Sequence, residues 1–425
     1  MAADPHRMYE IRCPVHGFIP LNDWERSIID HWPFQRLRRI RQLAWTDVVY
    51  PGAMHTRFEH SLGVMHTATL LYDAIRSRSA EALKSQLGYN DNGLDRDRQL
   101  VRLAALLHDL GHCPFSHAGE DLLPEREDGS GRYKHEQYSA AIVRTHFQDV
   151  IGGHPWNKRN HGFTAEEVAQ FLEANPKAEH RLFWRDLIDG PMDADRMDYL
   201  LRDSHHLGVQ YGRFDLNRMI NTIQAVHDES GRAPRLGVSE GGWHAAEALV
   251  LARYFMFTQV YFHKTRVAYD IHLRGTLKHL LKGGSFPKPT EDELDEYLKW
   301  DDWKVLGLLS QGEGGEQGER LRSRNHYRRV FHTNEVPSPE DQKKLAAIKK
   351  GLGELLAEEA LAKKSWYKSD LPTDIPVARE TGQGVVPLSK FSHVVNNLRS
   401  HNQVFLYVKP EDREQACEIV ASLGG

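Results

Sequence analysis

A histidine–aspartate pair at the end of an apolar helical run is the feature that most limits how this chain can fold. One face of segment 99–110 carries the apolar residues Leu100, Leu103, Ala104 and Leu107. This spacing predicts an amphipathic helix packed against a core. His108 and Asp109 follow, and Gly111 predicts that the helix ends there. Because neighbours on a continuous helix lie about 100° apart, only a helix end lets both side chains reach one ion.

Two further segments supply residues of the same chemical type. His60 opens a predicted helical segment, and Asp195 lies in another, followed at four-residue intervals by Tyr199 and Asp203. Imidazole and carboxylate groups suit a divalent ion and leave positions open for water or phosphate. Each piece alone is more typical of a solvated surface, but together they predict a catalytic metal site in a helical bundle. Its ligands would be His60, His108, Asp109 and Asp195, and its ion Mn, Mg, Fe, Co or Zn.

The composition is ordinary for a folded protein outside the membrane. Of the 425 residues 40% are hydrophobic and 27% charged, and no apolar run approaches the roughly 18 residues that a membrane span needs. The N-terminus lacks the apolar segment of a secretory signal, so we expect a cytoplasmic protein. The net charge of -4 argues against a chain that coats nucleic acid. Neither a membrane nor a nucleic acid is therefore an expected partner.

The order of the patterns predicts a mainly α protein. Helices are expected over residues 164–173 and 241–281, with a β-hairpin near 221–238 whose turn lies in residues 228–231. Past residue 282, glycine-rich and proline-containing loops lead to predicted strands and a final helix at 410–423. We predict a helical bundle with the metal site in its core, small β-hairpins and a small α+β C-terminal lobe.

At these residues the sequence resembles the HD-domain phosphohydrolase superfamily, and more closely its deoxynucleoside triphosphate triphosphohydrolase (dNTPase) branch. The superfamily pattern H…HD…D corresponds to the four predicted metal ligands, and similarity extends from residues 14–17 to residues 261–266. The resemblance implies an HD-domain catalytic core at residues 1–282, followed by a C-terminal helical and α+β lobe at 283–425. It also implies a homo-oligomer that hydrolyses a dNTP to deoxynucleoside and inorganic triphosphate.

The same resemblance implies which residues contact the substrate. Gln42 and Leu43 would line the deoxyribose, and Asp203 would lie near the 3'-hydroxyl. The residues implied around the phosphates are Arg57, Arg196, Tyr199 and Arg266. These roles are chemically sensible, since arginine forks match phosphate oxygens and a leucine against the 2' edge would exclude a ribose hydroxyl.

The implied chemistry needs a proton donor. A water activated by the metal would attack the α-phosphate, and a general acid that protonates the departing sugar oxygen would add about 10²- to 10⁴-fold to the rate. His117 is the first candidate for that acid. By resemblance, His112 and His135 lie near the phosphates, and Glu136 would serve a histidine as its carboxylate partner. A simpler interpretation of His135 and Glu136 is an exposed helix N-terminus.

Regulation and two other functions are left open by the sequence. Asp30, Gln35 and Arg38 correspond to residues that read a guanine nucleotide in vertebrate members of the branch, which predicts a GTP or dNTP activator; an exposed or interface helix face fits them equally. A broader nucleotide phosphatase or phosphodiesterase would use the same metal ligands. A catalytically silent nucleotide sensor would instead use the basic residues Arg320, Arg322, Arg324, Arg328 and Arg329.

Overall fold

The computed structural model describes residues 8–175, 181–227, 234–365, 374–380 and 384–425. The α-helices are α1 (Asp23–Ile29), α2 (Trp32–Gln35), α3 (Arg57–Leu87), α4 (Asp91–Leu107), α5 (His135–His146), α6 (Gln148–Gly152), α7 (Pro155–Asn160), α8 (Ala165–Leu172), α9 (Leu182–Arg185), α10 (Ala194–Leu207), α11 (Leu216–Thr222), α12 (Trp243–Met256), α13 (Lys264–Leu280), α14 (Leu294–Leu298), α15 (Asp302–Ser310), α16 (Gly315–Arg322), α17 (Pro339–Leu352), α18 (Leu388–Phe391), α19 (His393–Asn397) and α20 (Arg413–Ser422). The strands are β1 (Tyr9–Cys13), β2 (Gly17–Leu21), β3 (Ile223–Val226), β4 (Arg235–Ser239), β5 (Arg328–His332), β6 (Leu356–Lys364), β7 (Pro376–Ala378), β8 (Val385–Pro387) and β9 (His401–Val408).

The long helix α3 packs against α4 and α10 to form the centre of the bundle. The apolar face predicted for segment 99–110 is buried in α4, which ends at Leu107 as expected from the residues that follow. A capping box between Thr56 and Glu59 starts α3 and fixes its first turn, which carries His60. The helix predicted over 164–173 is α8, and Thr164 caps it by accepting a hydrogen bond from the Glu167 amide. These helices confirm a mainly α fold.

The single helix predicted over residues 241–281 is wrong in one respect. The chain forms α12 and α13, separated by a π-helical turn at Phe257–Tyr261. His263 begins the second helix by accepting a hydrogen bond from the Thr265 amide. Tyr261, at the break, donates its hydroxyl to the buried Asp203, a tertiary contact that helical periodicity cannot reveal.

Three small sheets accompany the helices. Strands β1 and β2 form an antiparallel hairpin, and β3 and β4 form the hairpin predicted near 221–238; its predicted turn, residues 228–231, lies outside the described residues. A four-stranded sheet has the order β3-β4-β7-β8, and a three-stranded sheet has the order β5-β9-β6. The final helix predicted at 410–423 is α20.

The C-terminal segments share apolar contacts with the bundle. Tyr297 and Val377 belong to the same hydrophobic core as Leu103 of α4. The three-stranded sheet packs one face on α17 and α20 and places Phe405 against Ile271 of α13. The boundary at residue 282 stays a prediction. In the described part of the chain no helix has the length and apolar character needed to cross a membrane.

Candidate metal centre and active site

Four predicted metal ligands converge where three helix ends meet. His60 lies in the first turn of α3, His108 caps the C-terminus of α4, and Asp195 lies in the first turn of α10. The Nε2 atom of His60 is 2.9 Å from Oδ1 of Asp195 and 3.5 Å from Oδ2 of Asp109. The Nε2 atom of His108 is 3.2 Å from Oδ1 of Asp109 and 3.7 Å from Oδ1 of Asp195. The structure therefore brings all four side chains together.

The hydrogen bonds at Nδ1 of the two histidines turn Nε2 of each ring toward the other predicted ligands. Nδ1 of His108 is 2.8 Å from the carbonyl oxygen of Ala105; because a carbonyl only accepts, that nitrogen must carry the proton. Nδ1 of His60 is 2.7 Å from Oδ2 of Asp198, which likewise fixes the proton there. Nε2 of His108 is buried without a hydrogen-bond partner, as expected of a metal-ligand nitrogen.

The electrostatics of the cluster also favour a cation. Burial lowers the pKa of His60, but hydrogen bonds with Asp195 and Asp198 outweigh this effect and raise the pKa to about 10. Burial raises the pKa of Asp195, whereas its bonds with His108 and His60 bring that pKa below its usual range. Ligand atoms of His60, His108 and Asp195 all lie within 4.8 Å of one another. These residues fit a divalent ion, which would take the place of the proton on His60.

Asp109 connects the metal ligands to neighbouring groups. Its Oδ2 atom is 2.6 Å from Nη1 of Arg57, whose Nε donates to the hydroxyl of Ser116 at 2.9 Å. Its Oδ1 atom is 3.2 Å from Nε2 of His112. Burial raises the pKa of Asp109, but Arg57, followed by His108 and His112, outweighs burial and lowers this pKa well below its usual range. The carboxylate is thus ionised and ready to bind a cation.

A second group of side chains is organised by Glu120. Its Oε2 atom is 3.0 Å from Nδ1 of His117, and its Oε1 atom is 2.7 Å from Nδ1 of His135. Oε2 of Glu136 lies farther from that same nitrogen, at 3.6 Å. Sequence reasoning missed Glu120, although its spacing of three residues from His117 fits one helical turn.

The charged groups of this second cluster shift one another's pKa values. Burial raises the pKa of Glu120, but His117 and His135 lower it well below its usual range. Burial lowers the pKa of His135, yet Glu120 outweighs burial and raises it to about 9. Burial, followed by Arg57 and His135, lowers the pKa of His112. At neutral pH the group therefore contains an ionised carboxylate beside a charged and a neutral imidazole.

The geometry of the second group suits proton transfer better than metal binding. Ligand atoms of His112, His117, Glu120 and His135 do lie within 4.8 Å of one another. However, the rings of His112 and His135 stack with centroids 3.9 Å apart and planes 16° apart. The lone pair of an imidazole nitrogen lies in the plane of its ring. The lone pairs of two stacked, nearly parallel rings therefore do not converge on one ion. The side chain of His117 is 63% exposed, and such a donor can reach a substrate.

One cavity of about 550 Å³ lies among these groups. Three of the metal ligands line it, while His60 is fully buried behind them. The cavity is also lined by every residue that the sequence analysis assigns to catalysis or substrate binding: Gln42, Leu43, Arg57, His112, His117, His135, Glu136, Arg196, Tyr199, Asp203 and Arg266. Arg253 of α12 and Lys364 of β6 line it too, and no local sequence pattern indicates either residue.

One part of the cavity wall is built around the carboxylate of Asp203. Its Oδ1 atom is 2.7 Å from Nε2 of His55, and its Oδ2 atom accepts the Tyr261 hydroxyl at 2.5 Å. The backbone carbonyl of His55 also accepts a hydrogen bond from the backbone N–H of Gln42 at 3.0 Å, which ties the segment of Gln42 and Leu43 to Asp203. Oε1 of Gln42 is buried without a hydrogen-bond partner. The side-chain carboxamide of Gln42 is therefore available to a polar group of a ligand.

The residues assigned to an activator lie elsewhere. Nε of Arg38 donates to Oε1 of Gln35 at 2.8 Å, and its guanidinium lies 3.5 Å from the centroid of the Phe58 ring. Asp30 is exposed and 3.5 Å from Nε of Arg26. None of the three predicted activator residues lines the main cavity. Their role stays a prediction.

Several arginines of the basic run 320–329 are engaged within the fold. Nη2 of Arg320 is 3.0 Å from Oε1 of Glu316, and Nη2 of Arg322 is 2.5 Å from Oε2 of Glu319. The guanidinium of Arg329 lies 5.2 Å from the ring centroid of Phe405. These contacts give the run intramolecular roles and lend no support to a nucleotide sensor.

Comparisons with known proteins agree with this architecture. The model of the HD domain family matches residues 57–203, and that of the HD associated region matches residues 214–422. A crystal structure of a hypothetical protein from Aquifex aeolicus superposes with a TM-score of 0.78 at 29% identity, and the match covers 97% of this chain and 100% of that one. This chain therefore belongs to the HD-domain phosphohydrolase superfamily.

Within that superfamily the chain is similar to the dNTPase branch. The deoxynucleoside triphosphate triphosphohydrolase SAMHD1 of Homo sapiens is 34% identical over 50% of this chain and 35% of that protein. An uncharacterized protein of Methanocaldococcus jannaschii is 33% identical over 76% of this chain and 60% of its own length. Uncharacterized protein YwfO of Bacillus subtilis is 35% identical over 59% of this chain and 51% of its own length. The matches thus span three fifths or less of these relatives.

Proposed function

We propose that this protein is a metal-dependent phosphohydrolase that cleaves dNTPs to deoxynucleosides and inorganic triphosphate. One observation carries the proposal: three of the predicted metal ligands, the candidate proton donor His117 and several cationic side chains border the same cavity. A phosphoryl group bound at the ligands would meet the remaining groups at once. Similarity to proteins named deoxynucleoside triphosphate triphosphohydrolases supports the choice of substrate.

His60, His108, Asp109 and Asp195 would hold the divalent cation. When bound there, such an ion polarises a phosphoryl oxygen and lowers the pKa of water, which supplies a nucleophile at neutral pH. The protein's own contribution is to fix both imidazoles in the tautomer that presents Nε2, through the carbonyl of Ala105 and the carboxylate of Asp198. Metal analysis of the purified protein would decide among Mn, Mg, Fe, Co and Zn.

His117 would supply the proton that the leaving sugar oxygen needs. Glu120 contacts its Nδ1 atom, so Nε2 is the nitrogen left to face the substrate. The ionised Glu120 contacts His117 at 3.0 Å and also holds the charged His135 in place. His112, kept neutral by burial and by nearby cations, would donate a hydrogen bond to a phosphate oxygen. Glu136 would support His135 at the same ring nitrogen.

The remaining lining residues would bind the two ends of a nucleotide. Arg57, Arg196, Arg253 and Arg266 present guanidinium groups, which match phosphate oxygens in charge and shape. Tyr199 lies among them. Gln42, Leu43 and Asp203 would contact the deoxyribose, where the buried carboxylate can accept a hydrogen bond from the 3'-hydroxyl.

Three further expectations belong to this proposal and come from the sequence and the family resemblance alone. They are activation by GTP or a dNTP at Asp30, Gln35 and Arg38, assembly as a homo-oligomer, and a cytoplasmic location. The chemistry of the cavity is compatible with each of them but does not depend on any.

The proposal is tested by incubating the purified protein with each dNTP and NTP plus Mn²⁺, Mg²⁺ or Co²⁺, alone and with GTP. Chromatography should detect deoxynucleoside and inorganic triphosphate in equal amounts. Asp109→Ala should abolish both products, whereas Asp91→Asn, at an exposed aspartate that begins α4, should leave them unchanged. Orthophosphate, nucleoside monophosphates or cleaved oligonucleotides would instead indicate the broader phosphatase or phosphodiesterase. Tight binding without turnover under every metal would favour the sensor.

A further inference from the structure

The C-terminal sheet contributes two lysines of β6, Lys363 and Lys364, to the cavity that is otherwise lined mainly by the helical bundle. Lys364 is the last residue of β6, and its backbone pairs with His401 of β9. Its side chain lines the cavity together with Arg196 and Arg253. A lysine supplied by the sheet thus faces the same space as the arginines supplied by α10 and α12.

The immediate surroundings of Lys364 are aromatic and cationic. Its Nζ atom lies 4.7 Å from the centroid of the Phe257 ring, and Cζ of Arg253 lies 5.8 Å from the same centroid. Both cations therefore flank one aromatic ring at the cavity wall. Within the described ranges, no Asp or Glu carboxylate lies within 4 Å of the Lys364 ammonium.

This arrangement places positive charge where an anion would be stabilised. Burial, followed by the guanidinium groups of Arg253 and Arg196, lowers the pKa of Lys364 to about 8, while Asp195 acts in the opposite direction. Positive charges held close together at the cavity wall repel one another and raise the free energy of the ligand-free protein. A polyanion bound among them would remove that repulsion and gain charge-assisted hydrogen bonds.

We propose that Lys364 binds the phosphates beyond the one at the metal ligands, so that the C-terminal sheet makes the cavity select a triphosphate over a single phosphate. This inference rests on the proposed function, which has the triphosphate as both a part of the substrate and a product. Lys364 lines the same cavity as the predicted metal ligand Asp195. Arg196 and Arg253 also line this cavity and would complete a cationic path for the chain of phosphates.

The test is to measure by calorimetry how tightly the full-length protein binds inorganic tripolyphosphate and orthophosphate, without added divalent metal. Lys364→Met keeps the length of the side chain and removes its charge. We expect it to weaken tripolyphosphate binding roughly tenfold or more, as loss of a charged hydrogen bond predicts, and orthophosphate binding less than threefold. Lys364→Arg should bind tripolyphosphate within about threefold of the wild type, since the guanidinium preserves the charge. Lys409→Met, at an exposed lysine just after β9, should have no effect.

Three outcomes would overturn the inference: no tripolyphosphate binding by the wild type, equal affinity in Lys364→Met, or an equal loss for both anions. A parallel assay of dNTP hydrolysis separates this inference from the proposed function. If tripolyphosphate binding depends on Lys364 and no dNTP is hydrolysed, the inference stands and the proposed function fails. If dNTPs are hydrolysed and Lys364→Met binds tripolyphosphate like the wild type, the proposed function stands and the inference fails.

Discussion

Nδ1 of His60 lies 2.7 Å from Oδ2 of Asp198, so a fully buried carboxylate fixes the ring of a predicted metal ligand. The other oxygen of Asp198 is 2.6 Å from Nε2 of His16 and accepts from Arg202 at 2.8 Å. The carboxylate is therefore itself held by two cationic or proton-donating side chains. Such a partner both orients an imidazole and increases its basicity toward a metal.

Asp198→Asn should weaken metal binding about 10- to 100-fold, because the amide can accept at only one atom and presents donors to groups that already donate. Titration of the metal-free protein with Mn²⁺ would measure the affinity, and circular dichroism would verify the fold. Asp73→Asn, at a half-exposed aspartate paired with Arg98, is the control and should bind Mn²⁺ normally. Unchanged affinity in a folded Asp198→Asn protein would show that this carboxylate does not orient the ligand.

Gly63, one helical turn after His60, should not tolerate a side chain. A Cβ atom there would lie 1.9 Å from Oδ1 of Asp198 and 2.3 Å from Nη2 of Arg202, both of which are buried. Gly63→Ala should therefore lower the free energy of unfolding by about 1–3 kcal/mol through overpacking and also weaken metal binding. Gly307→Ala in α15, where the Cβ meets no atom within 4 Å, should be neutral or stabilising. Urea unfolding would measure the free energy of unfolding of both variants, and equal values would refute the steric argument.

His117→Gln should lower kcat about 10²- to 10⁴-fold with little change in KM, because the departing sugar oxygen loses its proton donor. Steady-state kinetics with the preferred dNTP measures this loss. The loss should be much smaller with a 4-nitrophenyl phosphodiester, whose leaving group departs without a proton. Equal losses on both substrates would assign His117 to binding or structure instead of acid catalysis.

The two glutamates beside His135 form a matched pair for testing which carboxylate serves the proton donor. Glu120→Gln should reduce kcat strongly, since Glu120 contacts both His117 and His135 at 3.0 Å or less. Glu136→Gln should reduce it less, because Glu136 lies 3.6 Å from His135. Combining Glu120→Gln with His117→Gln should add little to the loss from His117→Gln alone. A larger effect of Glu136→Gln would reverse the assignment.

The partly buried histidine His66 predicts a loss of stability in mild acid. Burial, followed by His16 and Arg102, lowers its pKa to about 4, whereas an unfolded histidine titrates near 6.5. Between these values the unfolded chain binds more protons than the folded protein, so the free energy of unfolding falls as pH falls from about 6.5 to about 4. Urea unfolding between pH 7.5 and 5 would measure this slope. His66→Gln should flatten it, while His205→Gln, at an exposed histidine, should not; identical slopes in all three proteins would count against the prediction.

The sequence by itself determined the mainly α fold and predicted the candidate metal ligands. Both depend on residue type and short-range spacing: the apolar face of α4 ends at His108 and Asp109, and Gly111 follows. The side chains of helix ends converge in a bundle because each helix buries one face in a shared core. Local patterns therefore sufficed to nominate His60 and Asp195 from other segments.

Only the tertiary structure decided which partners those residues have. Glu136 is adjacent to His135 in sequence, yet the ring nitrogen of His135 lies closer to Glu120, because the 3₁₀ helix Ser116–Leu122 packs beside the start of α5. The break between α12 and α13, which lets Tyr261 reach Asp203, likewise leaves no periodic signal. Lys364 enters the cavity from a strand remote in sequence, and a long-range contact of this kind depends on how elements pack and not on the residues that flank it.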